Sequence, residues 1–168
     1  MEKLKNIIGY LLGFLIFVCG VPALMWWVSG RALSYFPDNA FQGAIAIILM
    51  VVGVAFSVYT IVYMKIVGKG NPFDAYNHEV APRTRHLMTG GPYRVCRNPM
   101  LLGIYVYDVG VLLCLFALAP ILVFAVEVLL LSIQVRSEEK RLEADFGQEY
   151  LDFKQKRGRY LPFPLIRK

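Results

Sequence analysis

The chain has 168 residues, 57% of them hydrophobic, a mean hydropathy of +0.52 and a formal charge of +6. A mean hydropathy that high excludes an ordinary soluble domain, and apolar runs of about 18 residues or more read as membrane spans. The positive balance has a topological meaning before a nucleic-acid one, because cytoplasmic loops of membrane proteins concentrate Lys and Arg; no aromatic-basic interleaving is present, and no nucleic-acid partner is expected.

Residues 1–5 are a short charged start. Residues 7–28 form a long apolar run with Pro22 as a kink point. The run exceeds the apolar core of a signal peptide and lacks a good cleavage signal, so it reads as a retained span, with Trp26 and Trp27 in the interfacial belt at its far end. Residues 29–39 are a short loop. Residues 40–67 are a second span, closed by Lys65, in which Gly43 and Gly53 permit close helix packing without a GxxxG pair. Residues 68–98 are a polar connection with prolines at 72, 82 and 92. Connections of this length are functional or disordered, and Phe73, Tyr76, Leu87 and Tyr93 favour order.

Residues 99–135 suffice for two spans or one helical hairpin at roughly 1.5 Å per residue, with Pro120 as the expected turn. Asp108 and Glu127 fall inside these runs, where carboxylates are costly and face a protein interior or an aqueous cavity. They have two readings: lining a substrate cavity, or a structural place near an interface or beside Tyr105 or Tyr107. The structural one is preferred, because neither has a partner at fixed spacing. Residues 136–159 read as a charged helix continuing the last span. Leu142, Phe146, Tyr150 and Phe153 form one apolar stripe on it, facing either the membrane surface or the protein's own loop. Leu161-Pro162-Phe163-Pro164 ends it.

Of the 18 Lys and Arg, two lie in the start, one in the first loop, six between Lys65 and Arg97 and nine after Val135. The positive-inside rule therefore puts both termini and the long connection in the cytoplasm, which requires an even number of crossings. The expected fold is an all-α integral membrane protein of about four transmembrane helices plus a cytoplasmic C-terminal helix, with no Rossmann domain. Residues 1–168 make one domain: 1–67 a two-span part, 68–98 a cytoplasmic loop, 99–168 a helical hairpin with the C-terminal helix. Cys19, Cys96 and Cys114 form no CxxC pair, and His78-Glu79 lacks the second His of a HExxH site, so neither a disulfide framework nor a metal is expected.

The chain is organised around residues 90–103, where the basic loop meets an apolar run. Pro99 suits a first helical turn and Asn98 a cap, so a helix starts there with its positive dipole end at the membrane surface. Arg94 and Arg97 just before it make either an anion site or a plain positive-inside anchor. Glu138-Glu139 lies at the other end of the hairpin, so acids and arginines meet if the two runs pack antiparallel. A zwitterionic cofactor such as S-adenosylmethionine finds both signs of partner there. Glu138 or Glu139 would take its ammonium and ribose hydroxyls, Arg94 or Arg97 its carboxylate, and Tyr93, Met100 and Leu101 its adenine. The competing reading is a solvated charge run, since Arg136, Lys140 and Arg141 adjoin the glutamates.

Gly-Pro-Tyr-Arg, then Arg-Asn-Pro-Met with Gly103, then Glu138-Glu139 with Leu142, Phe146-Gly147 and Tyr150, resembles the membrane methyltransferases of the isoprenylcysteine carboxyl methyltransferase and phospholipid N-methyltransferase group. The resemblance covers roughly residues 87–162. The group's Arg-His-Pro motif falls on Arg97, Asn98 and Pro99, with Asn98 where many members have His and Leu101 where many have Tyr. The resemblance implies an S-adenosylmethionine site on His86, Leu87, Gly90, Tyr93, Arg94, Arg97, Asn98, Pro99, Met100, Leu101, Gly103, Glu138 and Glu139, with Arg97, Glu138 and Glu139 nearest the chemistry. It implies methyl transfer to a lipophilic acceptor entering from the bilayer: an isoprenylated carboxylate first, an aminophospholipid second. A non-catalytic tetraspan that binds lipid or protein is the rival of another class. A transporter is the weaker one, since the two halves do not repeat.

Overall fold

The computed structural model describes residues 11–30, 40–68, 86–115 and 117–162. The charged start, the first loop at 31–39, the stretch 69–85 with Phe73, Tyr76 and His78, and Phe163-Pro164 lie outside the described residues. Every regular element among the described residues is helical. These are α1 (Leu11–Val28), α2 (Ala40–Gly68), α3 (Pro99–Leu115), α4 (Leu118–Phe146) and α5 (Gln148–Lys156).

α1, α2 and α4 are each long and apolar enough to cross a membrane; α3, with 17 residues, is an apolar helix of about 25 Å. Leu24, Trp27, Ile48, Val51, Leu122 and Leu129 are exposed on the outer faces. Water would not tolerate so continuous an apolar surface, and lipid requires it. The chain is an all-α membrane protein.

Cross-helix contacts fix the directions. Phe17 packs with Leu101, Ile104 and Leu131, and Met25 with Tyr107, Val111 and Leu115, so α1 runs parallel to α3. Gln42 Nε2 donates to Leu113 O at 3.0 Å and Ser57 Oγ to Met100 O at 2.9 Å, so α2 is antiparallel to α3. Leu131 and Val135 meet Leu101 and Ile104 while Val123 and Phe124 meet the Leu115 end, so α4 is antiparallel too. The four helices therefore alternate. The start of α1, the end of α2, the start of α3 and the end of α4 share one end of the bundle.

Two local chemistries hold it. Pro22 has no N–H to give Val18, four residues back; α1 takes a π-helical course over Phe14–Gly20 just before it, and Tyr107 Oη donates to the Val18 carbonyl at 3.0 Å. α3 lies closest to α2 rather than to α4. A Cβ on Gly53 would come within 2.5 Å of Gly103 O and Tyr107 N, and one on Gly110 within 2.7 Å of Ala46 O. Backbone meets backbone there, which dispersion and helix–helix hydrogen bonds reward in lipid.

Two boundaries differ from expectation. The hairpin turns at Ala117, which is extended, and not at Pro120; Pro120 is buried in the first turn of α4, where its missing N–H has no intrahelical partner to lose. The charged segment is not one helix to Arg159. It breaks at Gly147, whose φ of 52° and ψ of −125° suit only glycine, and again after Lys156, where Arg157 is extended. The apolar stripe thereby folds back. Tyr150 and Phe153, with Leu142 and Phe146, pack on Met88, Tyr93, Leu87 and Tyr63, so the stripe faces the protein's own loop and not the membrane surface.

Candidate active site

The segment before α3 is shaped by small residues. Gly90 and Gly91 lie under Tyr63: a Cβ on Gly90 would sit 2.7 Å from the Tyr63 hydroxyl, and Gly91 has a φ of 54°. Gly91–Arg94 makes one 3₁₀ turn that buries Pro92 and Tyr93 and leaves Arg94 exposed. The chain then reaches Arg97 and Asn98, whose backbone N–H groups donate to Gly158 O at 2.9 Å and Arg159 O at 3.1 Å. Asn98 Nδ2 also reaches Arg159 O, at 3.4 Å, and Asn98 O accepts from Leu102 N–H as the helix begins. The C-terminal segment thus lies along the start of α3 as an extended strap.

That strap places Arg159, which local sequence reasoning missed. Its Nε and Nη2 donate to Glu139 Oε1 and Oε2 at 3.1 and 2.6 Å. Arg97 Nη1 meets the same Oε1 at 2.9 Å. Arg97 and Glu139 are both deeply buried, their side chains 9% and 7% exposed. Arg97 Nη1 also donates to Tyr150 Oη at 3.3 Å. One carboxylate therefore holds two guanidiniums. Arg97 Nε is buried and has no hydrogen-bond partner among the described residues. A guanidinium fixed at one edge with an unanswered N–H on another is a donor set for an anion.

The other expected residues divide. Glu138 is exposed, and its charge acts on the phenols of Tyr93 and Tyr150, so it stands at the rim of the same cluster. His86 and Arg94 are exposed, and Leu87 packs on the Met88–Tyr93 cluster. Met100, Leu101 and Tyr93 do not share one apolar cluster: Leu101 is core against Ile104, Leu131 and Val135 with Met100 beside it, while Tyr93 packs with Met88, Tyr150 and Phe153. Pro99 is buried at the start of α3, and Gly103 lies one turn deeper against Gly53 and Ser57, in helix packing. Among the described residues no group of three His, Cys, Asp or Glu is placed to hold a metal.

Burial sets the titration around the cluster. It pushes the Cys96 thiol up to about 11 against the opposing pull of the Asn98 N–H and the Arg97 charge, which keeps it a neutral, unreactive thiol. Burial, then the Glu139 charge, lifts the Tyr150 phenol from 10.0 to about 12 although Arg97 pulls it down. A phenol that ionises later in the folded than in the unfolded chain contributes stability that is complete below the unfolded value and is lost as pH rises through the folded one. Alkaline unfolding followed by circular dichroism is expected to show stability falling from about pH 10 to 12, with Tyr150→Phe flattening that fall.

The sequence profile of the phospholipid methyltransferase family matches residues 41–149, about two thirds of the chain. The chain belongs to the phospholipid methyltransferase family. The match runs from the start of α2 into α5, so it takes in the glycine-packed helix pair, Arg97, Glu139 and the Gly147 break. It stops before Arg159, which closes the cluster from beyond the matched region. Curated proteins and solved structures give no match. Membership in a family of membrane methyltransferases agrees with the all-helical fold and with the resemblance of the residues around Arg97 and Glu139.

Proposed function

We propose that this protein transfers the methyl group of S-adenosylmethionine to a lipophilic acceptor at one face of the membrane. The observation that carries the reading is the Arg97 guanidinium: buried, fixed by Glu139 and Tyr150, with its Nε unanswered among the described residues. Those donors fit the carboxylate of the cofactor. Glu138, at the rim beside Tyr93 and Tyr150, suits its ammonium or ribose hydroxyls. Glu139 is already engaged by two guanidiniums, so it positions Arg97 and Arg159 rather than binding ligand itself. The bound cofactor supplies a methyl on a sulfonium, an electrophile that an in-line nucleophile takes directly. The protein's share is orientation and exclusion of water.

The family match takes in both acceptors, an aminophospholipid and an isoprenylated carboxylate; the aminophospholipid is the one put to the test, because the family's description names a phospholipid. The surplus of Lys and Arg at the cluster end supports a cytoplasmic location for it, with four crossings and both termini on that side. Cofactor then arrives from the cytoplasm and acceptor sideways from lipid. The test is incorporation of labelled methyl from S-adenosylmethionine into a native lipid extract by the reconstituted protein. Label is expected in aminophospholipid products, and Arg97→Ala is expected to lower kcat/KM about a hundredfold, the effect of deleting one fixed charge-stabilising donor. Absence of transfer to any lipid, or label confined to carboxyl esters, overturns the acceptor assignment.

A further inference from the structure

Asp108 and Glu127 are buried, 0% and 7% exposed, the first midway along α3 and the second about a third of the way along α4, and they face one another. None of their carboxyl oxygens has a hydrogen-bond partner of ordinary geometry among the described residues. Among the described residues the ionisable side chains around them are Tyr105 and Tyr107 on α3 and, next to Tyr107, Cys19 on α1; none of these is a cation. A polar thread leads away through the apolar interior. Tyr105 Oη, itself buried without a direct partner, adjoins Tyr160, whose ring lies 5.3 Å away edge-on. The Tyr160 hydroxyl is 3.2 Å from Ser132 Oγ. Tyr160 follows Arg159, which grips Glu139. The thread therefore runs from Tyr105, beside the acids, to Tyr160 on the segment that carries Arg159.

We propose that Asp108 and Glu127 hold one proton between them, and that Tyr105, Tyr160 and Ser132 pass protons between this pair and the Arg97–Glu139–Arg159 cluster. The inference rests on the methyl-transfer reading with an amine acceptor and adds the destination of the proton. Two adjacent carboxylates without a cation repel strongly in a low-dielectric interior, so the pair retains a proton and keeps capacity for a second. In the reaction the lone pair of the acceptor nitrogen forms the bond to the methyl carbon, and the carbon–sulfur bond breaks with its electrons going to sulfur. For that lone pair to be free, the ammonium form in which an amine acceptor stands at neutral pH must first give up one proton. Both oxygens of Glu139 are already engaged by guanidiniums. The pair takes that proton through the hydroxyl thread and later returns it by the same way.

The test uses the full chain in lipid nanodiscs. Infrared absorption of protonated carboxyl groups is followed on transfer into heavy water, and binding of S-adenosylhomocysteine is measured on the same samples. The parent is expected to show an acid band that is lost in Asp108→Asn and in Glu127→Gln. Its deuterium shift is expected to slow by at least about tenfold, some 1.4 kcal/mol of barrier, in Tyr105→Phe and Tyr160→Phe that still bind the probe. No acid band depending on both carboxyls, or exchange as fast in both Tyr variants as in the parent, overturns the relay. A parent that binds no S-adenosylhomocysteine sinks the methyl-transfer reading instead, and the exchange rates still judge the thread.

Discussion

Glu139→Gln is expected to lower the unfolding free energy by about 3 kcal/mol and to abolish cofactor binding, the first effect being the usual cost of removing one partner of a buried ion pair. The Glu139 carboxylate bridges Arg97 and Arg159. A neutral amide offers one acceptor oxygen and two N–H groups that confront the guanidiniums with donors. Two like charges are left close together, one of them deeply buried. Arg97 then has no reason to hold the rotamer that leaves Nε available. Arg159→Ala tests the same network more gently, because its backbone carbonyl can still accept from Asn98 and the strap survives. Glu138→Gln separates binding from folding: Glu138 is exposed, so stability is expected to change by no more than about 0.5 kcal/mol. Thermal unfolding of the detergent-solubilised variants reads all three.

Gly53→Leu is expected to be the most disruptive single change away from the cluster. Even a Cβ at that position would come within 2.5 Å of Gly103 O and Tyr107 N and within 2.9 Å of Tyr107 Cα, all backbone atoms of the facing helix. Backbone cannot rotate aside as a side chain can, so α2 and α3 must separate. Overpacking of this kind costs about 3 kcal/mol at the upper end of its ordinary range. The separation also strains the Ser57–Met100 and Gln42–Leu113 hydrogen bonds. Since α3 begins at Pro99, two residues after Arg97, the site moves with it. Loss of thermal stability together with weaker S-adenosylhomocysteine binding is expected. Gly30→Ala is the control, because a Cβ there meets nothing within 4 Å, although its φ of 64° makes it a mildly strained one.

What was legible in the sequence was mostly local. Pro99 begins its helix as Asn98-Pro99 indicates, because a fixed φ and a missing N–H act on the residue itself. The stripe of Leu142, Phe146, Tyr150 and Phe153 was equally readable, since helical periodicity continues across the Gly147 break closely enough to keep one face. The meeting of Arg97 with Glu139 followed from the antiparallel run of α3 and α4 alone. Arg159 was not readable. In composition it belongs to a charged tail, and only a long-range pairing of Gly158 and Arg159 carbonyls with Arg97 and Asn98 amides brings it back. The α2–α3 contact was legible only in part: Gly53 marks a close-packing position, but its partners are hidden because the small residues recur at heptad rather than GxxxG spacing, Ala46 and Gly53 on one helix, Gly103 and Gly110 on the other. Asp108 and Glu127 seemed unpartnered for a related reason. They stand nine and ten residues from Ala117, and that near symmetry becomes informative only once the turn is placed there and not at Pro120.

The central claim is that a guanidinium held by an acid on the neighbouring helix receives the anionic end of the methyl donor. Calorimetric titration of S-adenosylhomocysteine into the parent, Arg97→Ala and Arg97→Lys measures it most directly. The parent is predicted to bind, the Ala variant to give no detectable heat, and the Lys variant to recover little, because an ammonium lacks the planar set of donors that serves Glu139, Tyr150 and ligand together. A folded Arg97→Ala protein that binds as tightly as the parent contradicts the account.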